Sequence, residues 1–228
     1  MATDLIVEHA QVAYTAPFVN PAFELWGDAR KITEGIYHAF SPFGVKLANI
    51  KGEYGTTAAD QVVTVSIGKD AICRFRFDGL EVTAFRYSQE FAQYLSTMLS
   101  ALTTWLRGAA PSVKFASHQF VYSAHCVLNG ADGETFLRTI SPKAPISGGT
   151  DRGTGLIFHW DLSGKASSML VVDKSVLVSN GLYIALTFLV AEDILDFAAT
   201  GQWVYHYLAN LLRDLGLIWD ARDPKEIP

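Results

Sequence analysis

Residues 62–107 read VVTVSIGKDAICRFRFDGLEVTAFRYSQEFAQYLSTMLSALTTWLR. Gly-Lys-Asp and Asp-Gly turns divide the first part of this stretch and predict three strands of an antiparallel meander, at 62–67, 72–77 and 80–85. From residue 88 to residue 107 apolar side chains recur every three or four positions, which predicts a helix with one buried stripe. A meander followed by a long amphipathic helix is typical of α+β packing, in which the helix covers one face of the sheet.

The second half of the chain has a similar order of elements. Strands are predicted at 155–162, 168–172 and 181–190, followed by a helix at 194–217. We therefore predict an α+β protein of two similar lobes, 1–110 and 111–228, each an antiparallel sheet covered by a long amphipathic helix. A tandem pseudo-repeat and the general rules of layer packing both account for the similarity. The pattern is compatible with two sheets and with one continuous sheet.

Each half also begins with an extended segment that contains a His and a Tyr. His9 and Tyr14 occupy the first of these segments, and His118 and Tyr122 occupy the second. A helix is predicted after each segment, at 28–40 and at 134–140. The two halves therefore share an order of elements from their first strand onward.

Composition limits the class of protein. A chain of 228 residues that is 50% hydrophobic can bury a large core. Its longest apolar runs are too short for a membrane span, and its first residues lack the pattern of a secretion signal. With Cys73 and Cys126 as its two cysteines, the sequence does not indicate a disulfide framework. We expect a cytoplasmic protein that does not contact a membrane.

The charge pattern argues against nucleic acid as the partner. The formal net charge is −5, whereas binding of a phosphate backbone requires clustered Lys and Arg. Arg74 and Arg76 nevertheless alternate along one predicted strand, so both point to the same face, where Arg86 can join them. These three arginines have two interpretations. They either belong to a solvated sheet face, or they form a face that binds a small anion or an acidic partner.

Motifs for catalysis, metals and cofactors are missing from the sequence. No glycine-rich phosphate loop follows a predicted strand, and no His-Glu-x-x-His or Cys-x-x-Cys pair is present. His118 and His125 are seven residues apart, so a regular strand places them on opposite faces. We expect no catalytic residue, no metal ligand and no cofactor, and we favour a non-enzymatic role.

The last predicted helix has a broad apolar surface. Trp203, Tyr207 and Leu211 belong to it, together with further Leu and Val residues. If the sheet does not cover all of this surface, the remainder is a candidate interface, because exposed apolar patches are seldom left uncovered in monomers. Self-association or a protein partner is therefore expected.

The order of parts resembles a sporadically distributed bacterial family of uncharacterised two-lobed α+β proteins. The resemblance covers most of the chain and is carried by Val7-Glu8 with Val12 and Tyr14, by Leu80-Glu81-Val82 before Phe85-Arg86, by the strand around Val121-Tyr122, and by the strand at 181–187 with its helix. It implies the two-lobed fold and no catalytic residue, because a fold alone does not specify an activity.

Two functions are compatible with these observations. The first is a protein-interaction or assembly module, as an accessory component of a bacterial system, that works through its sheet face or its terminal helix. The alternative is a small-molecule binding protein with an apolar cavity between a curved sheet and a helix. A filled core favours the first function, and a cavity lined by aromatic residues favours the second.

Overall fold

The structure is a computed structural model that describes residues 3–27, 29–57, 60–85, 89–141, 153–162, 166–191, 193–194 and 196–220. These residues form an α+β fold with ten strands and five α-helices. The strands are β1 Thr3–Pro17, β2 Ile50–Glu53, β3 Val62–Ile67, β4 Ala71–Arg76, β5 Gly79–Ala84, β6 His118–Leu128, β7 Leu156–Leu162, β8 Ala166–Lys174, β9 Leu182–Val190 and β10 Leu217–Asp220. The helices are α1 Phe23–Trp26, α2 Ala29–Phe40, α3 Gln89–Ala109, α4 Gly133–Ile140 and α5 Phe197–Asp214.

A single sheet runs through both halves of the chain. Nine strands follow the order β2-β3-β4-β5-β1-β6-β9-β8-β7, and β10 pairs in parallel with the beginning of β1. The other neighbours are antiparallel, including the two long central strands β1 and β6. The central pair therefore joins the strands of the first half to those of the second.

One face of this sheet forms the core. Burial alternates along the strands, as the period of two requires, and β6 alternates without interruption from His118 to Leu128. The buried strand residues share one hydrophobic cluster with Ile32 of α2, Leu102 of α3 and Val204 of α5. The amphipathic helices therefore cover this face, which we call the covered face.

Close packing between the helices depends on two glycines. A Cβ atom at Gly35 of α2 would lie 2.2 Å from the indole nitrogen of Trp105 on α3. A Cβ atom at Gly201 of α5 would lie 2.8 Å from Oγ of Ser96 on α3. Because real Cβ atoms do not approach other atoms so closely, the absence of a side chain at these positions allows the helices to pack against α3.

The predicted strands and helices are found close to their expected positions, with one difference at the end of the chain. The last helix ends at Asp214 and not at residue 217, because Gly216 adopts a left-handed conformation with φ of +79°. The chain then reverses and forms β10 beside β1. None of the described helices is long and apolar enough to span a membrane.

Candidate functional site

The second face of the sheet is covered by none of the described helices and strands. Its side chains alternate with the core residues along each strand, and they lie outside the hydrophobic cluster. We call this surface the open face. Its central positions are half-buried, because each side chain has neighbours on the adjacent strands.

The pairing register arranges the open face in rows that cross the strands. One row, the Arg74 row, runs from β2 to β7 through Lys51, Thr64, Arg74, Glu81, Thr15, Gln119, Leu189, Ser167 and Asp161. The next row, the Val121 row, runs from β3 to β7 through Ser66, Ile72, Thr83, Ala13, Val121, Thr187, Met169 and His159. Small aliphatic and hydroxyl side chains therefore form the middle of the face, and charged side chains lie towards its ends.

Apolar side chains are exposed on this face. The side chain of Ile157 on β7 is 62% exposed, and that of Leu189 on β9 is 39% exposed. Leu189 pairs with Gln119 on one side and with Ser167 on the other, so it lies among polar neighbours. The middle of the face therefore combines exposed apolar side chains with few charges, and a low content of charged residues is a feature of interface cores.

The predicted Arg74 and Arg76 lie on the open face, as expected from their alternation. Both are close to the carboxylate of Glu81, at 3.9 Å from Arg74 and 3.2 Å from Arg76. The three side chains remain between 33% and 45% exposed, so these ion pairs contribute little to stability. Because one carboxylate faces two guanidinium groups, this end of the sheet keeps a positive charge. Arg86 lies outside the described residues.

The predicted interface on α5 is largely packed against the sheet. Trp203 stacks on Tyr207 with ring centroids 5.7 Å apart, and its edge contacts Phe188 of β9 at 4.7 Å. The hydroxyl group of Tyr207 forms a hydrogen bond of 2.9 Å with Oγ of Ser168. Leu211 is half-buried, and Trp203 is 47% exposed. Trp203 and Tyr207 are therefore in contact beside the covered face, and the interface predicted on α5 stays a prediction because Trp203 is exposed.

A buried polar chain lies under the beginning of α5. The hydroxyl group of Tyr14 on β1 is 2.7 Å from Nδ1 of His118 on β6, and both side chains are buried. On the other side of the imidazole ring, Nε2 of His118 lies 3.5 Å from Oδ1 of Asp193. Arg107, in the last turn of α3, donates to both carboxylate oxygens of Asp193 and to the carbonyl oxygen of Ile194. This chain links the central strands to the β9–α5 connection.

Electrostatics fix the protonation states in this chain. Burial lowers the pKa of His118 from its usual 6.5, although Asp193 acts in the opposite direction. Burial also raises the pKa of Tyr14 well above 10.0, and the charge of Asp193 adds to this effect. These directions favour a protonated Tyr14 that donates to Nδ1 of a neutral His118, with Nε2 facing Asp193 at 3.5 Å. Phe120 and Phe197 pack against Tyr14, so the Tyr14–His118 end of the chain is shielded from solvent.

No model of a known protein family matches the chain. A search of curated proteins likewise finds no significant match. The resemblance to the sporadically distributed bacterial family therefore stays a prediction.

The space between the sheet and the helices is small. A cavity of about 30 Å³ lies between the central strands and the contact of α3 with α5, and it is lined by Val12, Tyr14, Val82, Leu95, Ser96, Leu99, Phe120, Tyr122 and Gly201. A volume of this size accommodates one or two water molecules, whereas ligand pockets measure about 300–1,000 Å³. Beside α2, a wider groove of about 510 Å³ is open to solvent and includes Tyr37, Leu47 and Tyr54.

Metal ligation is not supported by the described residues, because they contain no group of three or more His, Cys, Asp or Glu that could hold an ion. His118 and His125 lie on opposite faces, as predicted, with His118 on the covered face and His125 on the open face. His125 forms a hydrogen bond of 2.8 Å with Ser175 instead. His159 and Asp161 share the open side of β7.

The protonation of His118 predicts a pH dependence of stability. Because the pKa of His118 is lower in the folded state than its usual 6.5, the unfolded chain binds a proton first as the pH falls. We expect the free energy of unfolding to decrease below about pH 6.5. Urea titrations between pH 7.5 and pH 5 would measure this dependence. At neutral pH, His118→Asn should have a lower free energy of unfolding than the wild type. As the pH falls, the free energy of unfolding of this variant should decrease less steeply than that of the wild type.

A matched variant separates His118 from the other perturbed histidine. The pKa of His125 is also lowered, by burial and by the proximity of His9. His125→Asn should remove only the contribution of His125 to the pH dependence of the free energy of unfolding. The contribution of His118 should remain. If His118→Asn shows the same slope as the wild type, the neutral state assigned to His118 is wrong.

Proposed function

We propose that this chain is a non-enzymatic protein-interaction module that binds a polypeptide partner across the open face of its sheet. One observation carries this proposal: the sheet has ten strands, and the described helices cover one of its two faces. An antiparallel sheet can leave one face in water, but this face also exposes Ile157, which pairs with Val171, and Leu189, which lies between Gln119 and Ser167.

The composition of the open face favours a protein over other partners. Arg74, Arg76 and Lys51 are its cations on the first half of the sheet, and Glu53 and Glu81 accompany them. On the part of the face that the structure describes, three cations beside two carboxylates do not provide the row of positive charge that a phosphate backbone requires. The described cavity between the sheet and the helices, of about 30 Å³, is too small for the ligand that the alternative, a small-molecule binding protein, would hold there.

We also propose that the chain arose from two related lobes, 1–110 and 111–228, as in the bacterial family that it resembles. Outward from the centre of the sheet, the strand order is β1-β5-β4-β3 in the first half and β6-β9-β8-β7 in the second. Each half contains a long strand, a helix, three strands joined in sequence and a second helix. This common order supports duplication, and the role of an accessory component of a bacterial system belongs to the same proposal.

The proposal is tested by a charge placed at the centre of the open face. Val121 is half-buried between Ala13 and Thr187, so Val121→Arg should leave the fold intact and introduce an unpaired charge into the contact. Native mass spectrometry of protein purified gently from its own host should show a defined oligomer or a bound protein for the wild type, and this mass should be lost in the variant.

A control places the same charge elsewhere. Thr104→Arg adds an arginine to the exposed side of α3, and this variant should keep the associated mass. If wild-type protein is a bare monomer, or if Val121→Arg retains its partner while Thr104→Arg loses it, the open face is not the interaction surface.

A further inference from the structure

We propose that the partner of the open face is a second copy of this chain, bound face to face, with the two-fold axis parallel to the central strands β1 and β6. This inference rests on the proposed function, since it identifies the occupant of the same surface. Its support comes from the area of the face, from the distribution of charge along the Arg74 row, and from the size of the side chains near the centre.

The area of the open face fits a dimer of ordinary size. Strands lie about 4.8 Å apart and same-face residues about 6.8 Å apart, so each position occupies about 33 Å². The described open face has about 28 such positions, which together cover roughly 900 Å². A standard protein–protein interface buries about 800 Å² on each partner. A second copy of the same face would therefore be large enough to form a specific complex.

Charge is distributed unequally between the two ends of the face. At the β2–β4 end, Lys51, Arg74 and Arg76 outnumber the neighbouring carboxylates. At the β7 end of the Arg74 row, Asp161 is exposed on the open face, whereas Asp173 of β8 lies three rows further along the strands. One end is therefore positive and the other end is negative. Such a surface is complementary to the same surface of a second copy that is rotated by 180°.

The charge distribution selects the direction of the two-fold axis. In an isologous dimer with the axis in the interface plane and perpendicular to the strands, β4 of one copy would lie on β4 of the other, so the two positive ends of the face would meet. With the axis parallel to the strands, β4 lies on β8 of the other copy, and the Arg74 end meets the acidic end. Opposite charges attract across an interface and like charges are costly, so the parallel axis is favoured.

Small side chains allow the two sheets to approach at the centre. Under this axis, Ala13 of β1 faces Val121 of β6 in the second copy, and Thr83 of β5 faces Thr187 of β9. Short and β-branched side chains permit the spacing of about 10 Å that is usual for sheets packed face to face. Longer side chains, such as Arg74, lie further out, where they can reach across to a carboxylate.

The test uses two variants, each of which reverses the charge at one end of the open face. Arg74→Glu/Arg76→Glu makes the β2–β4 end acidic like the β7 end, and Asp161→Lys makes the β7 end basic like the β2–β4 end. Sedimentation velocity between 1 and 100 μM, in low and in high salt, would measure the dimer dissociation constant. Wild-type protein should dimerise, more weakly in high salt, and each variant alone should dimerise at least tenfold more weakly. An equimolar mixture of the two variants should form a heterodimer, because each acidic end then meets a basic end.

Other results would overturn the inference. A wild-type dimer whose dissociation constant does not respond to either reversal would exclude this arrangement of the two copies. Wild-type protein that remains monomeric at 100 μM would also overturn it. If the host-purified protein then carries a different protein that Val121→Arg releases, the proposed function stands with another partner. If it carries none, the proposed function fails as well.

Discussion

Replacement of Phe188 by Ala should lower the free energy of unfolding by about 3–5 kcal/mol. Phe188 on β9 is fully buried on the covered face. Its ring contacts Trp203 and Tyr207, so it connects the sheet to α5. Truncation to Ala removes these contacts and leaves a cavity that rigid strands cannot fill. Urea denaturation followed by far-UV circular dichroism would measure the loss.

The adjacent residue provides a matched control. Leu189 follows Phe188 on the same strand but points to the open face, where it is 39% exposed. Leu189→Ala should change the free energy of unfolding by less than about 1 kcal/mol. Similar losses for the two variants, measured at a dilution at which the protein is monomeric, would mean that both faces of β9 are buried in the monomer, which would contradict the description of one covered and one open face.

The second large effect on the free energy of unfolding is expected from replacements in the buried polar chain of Tyr14 and His118. Tyr14→Phe leaves Nδ1 of His118 without its hydrogen bond, and His118→Leu leaves the hydroxyl group of Tyr14 without a partner. Each single replacement should cost about 1–3 kcal/mol, because a buried polar group then remains unsatisfied. The double variant should be less destabilised than the sum of the two, since it removes both polar groups.

A double-mutant cycle therefore measures this hydrogen bond directly. We expect a coupling energy of about 1–2 kcal/mol between Tyr14 and His118. Additive effects would show that the two side chains do not interact in the folded protein. Arg107→Ala, which removes the ion pair with the 52%-exposed Asp193, should have a smaller effect than either single replacement.

Local patterns were sufficient to predict most elements. The strand at 62–67 and the helix after residue 88 were predictable. Within one segment, alternating apolar residues indicate a half-buried strand, and apolar residues at helical spacing indicate a half-buried helix. The end of the last helix was not, since the β10 pairing brings Leu217 beside Thr3 at the other end of the chain. Strand β2 was missed because it is only four residues long and mostly exposed.

The sequence predicted less about the candidate site than about the fold. Alternation placed Arg74 and Arg76 on one face, but it could not reveal that Glu81 lies beside them from the next strand. The His and Tyr residues that begin each half indicated that the opening strands correspond. Their contact, between Tyr14 and His118, joins residues 104 positions apart. The continuous sheet and its rows depend on such long-range pairing, which one sequence does not encode locally.

Labelling of an introduced thiol on the open face tests the central claim most directly. Cys73 and Cys126 are buried, and burial raises the pKa of each thiol to about 12, so neither should react quickly. A maleimide would be applied to Leu189→Cys, on the open face, and to Thr104→Cys, on the exposed side of α3. We predict that the thiol at position 189 reacts slowly in a gentle extract of the host and rapidly in dilute purified protein, while position 104 reacts equally in both. Equal labelling of position 189 under the two conditions would contradict the assignment of the open face as an interaction surface.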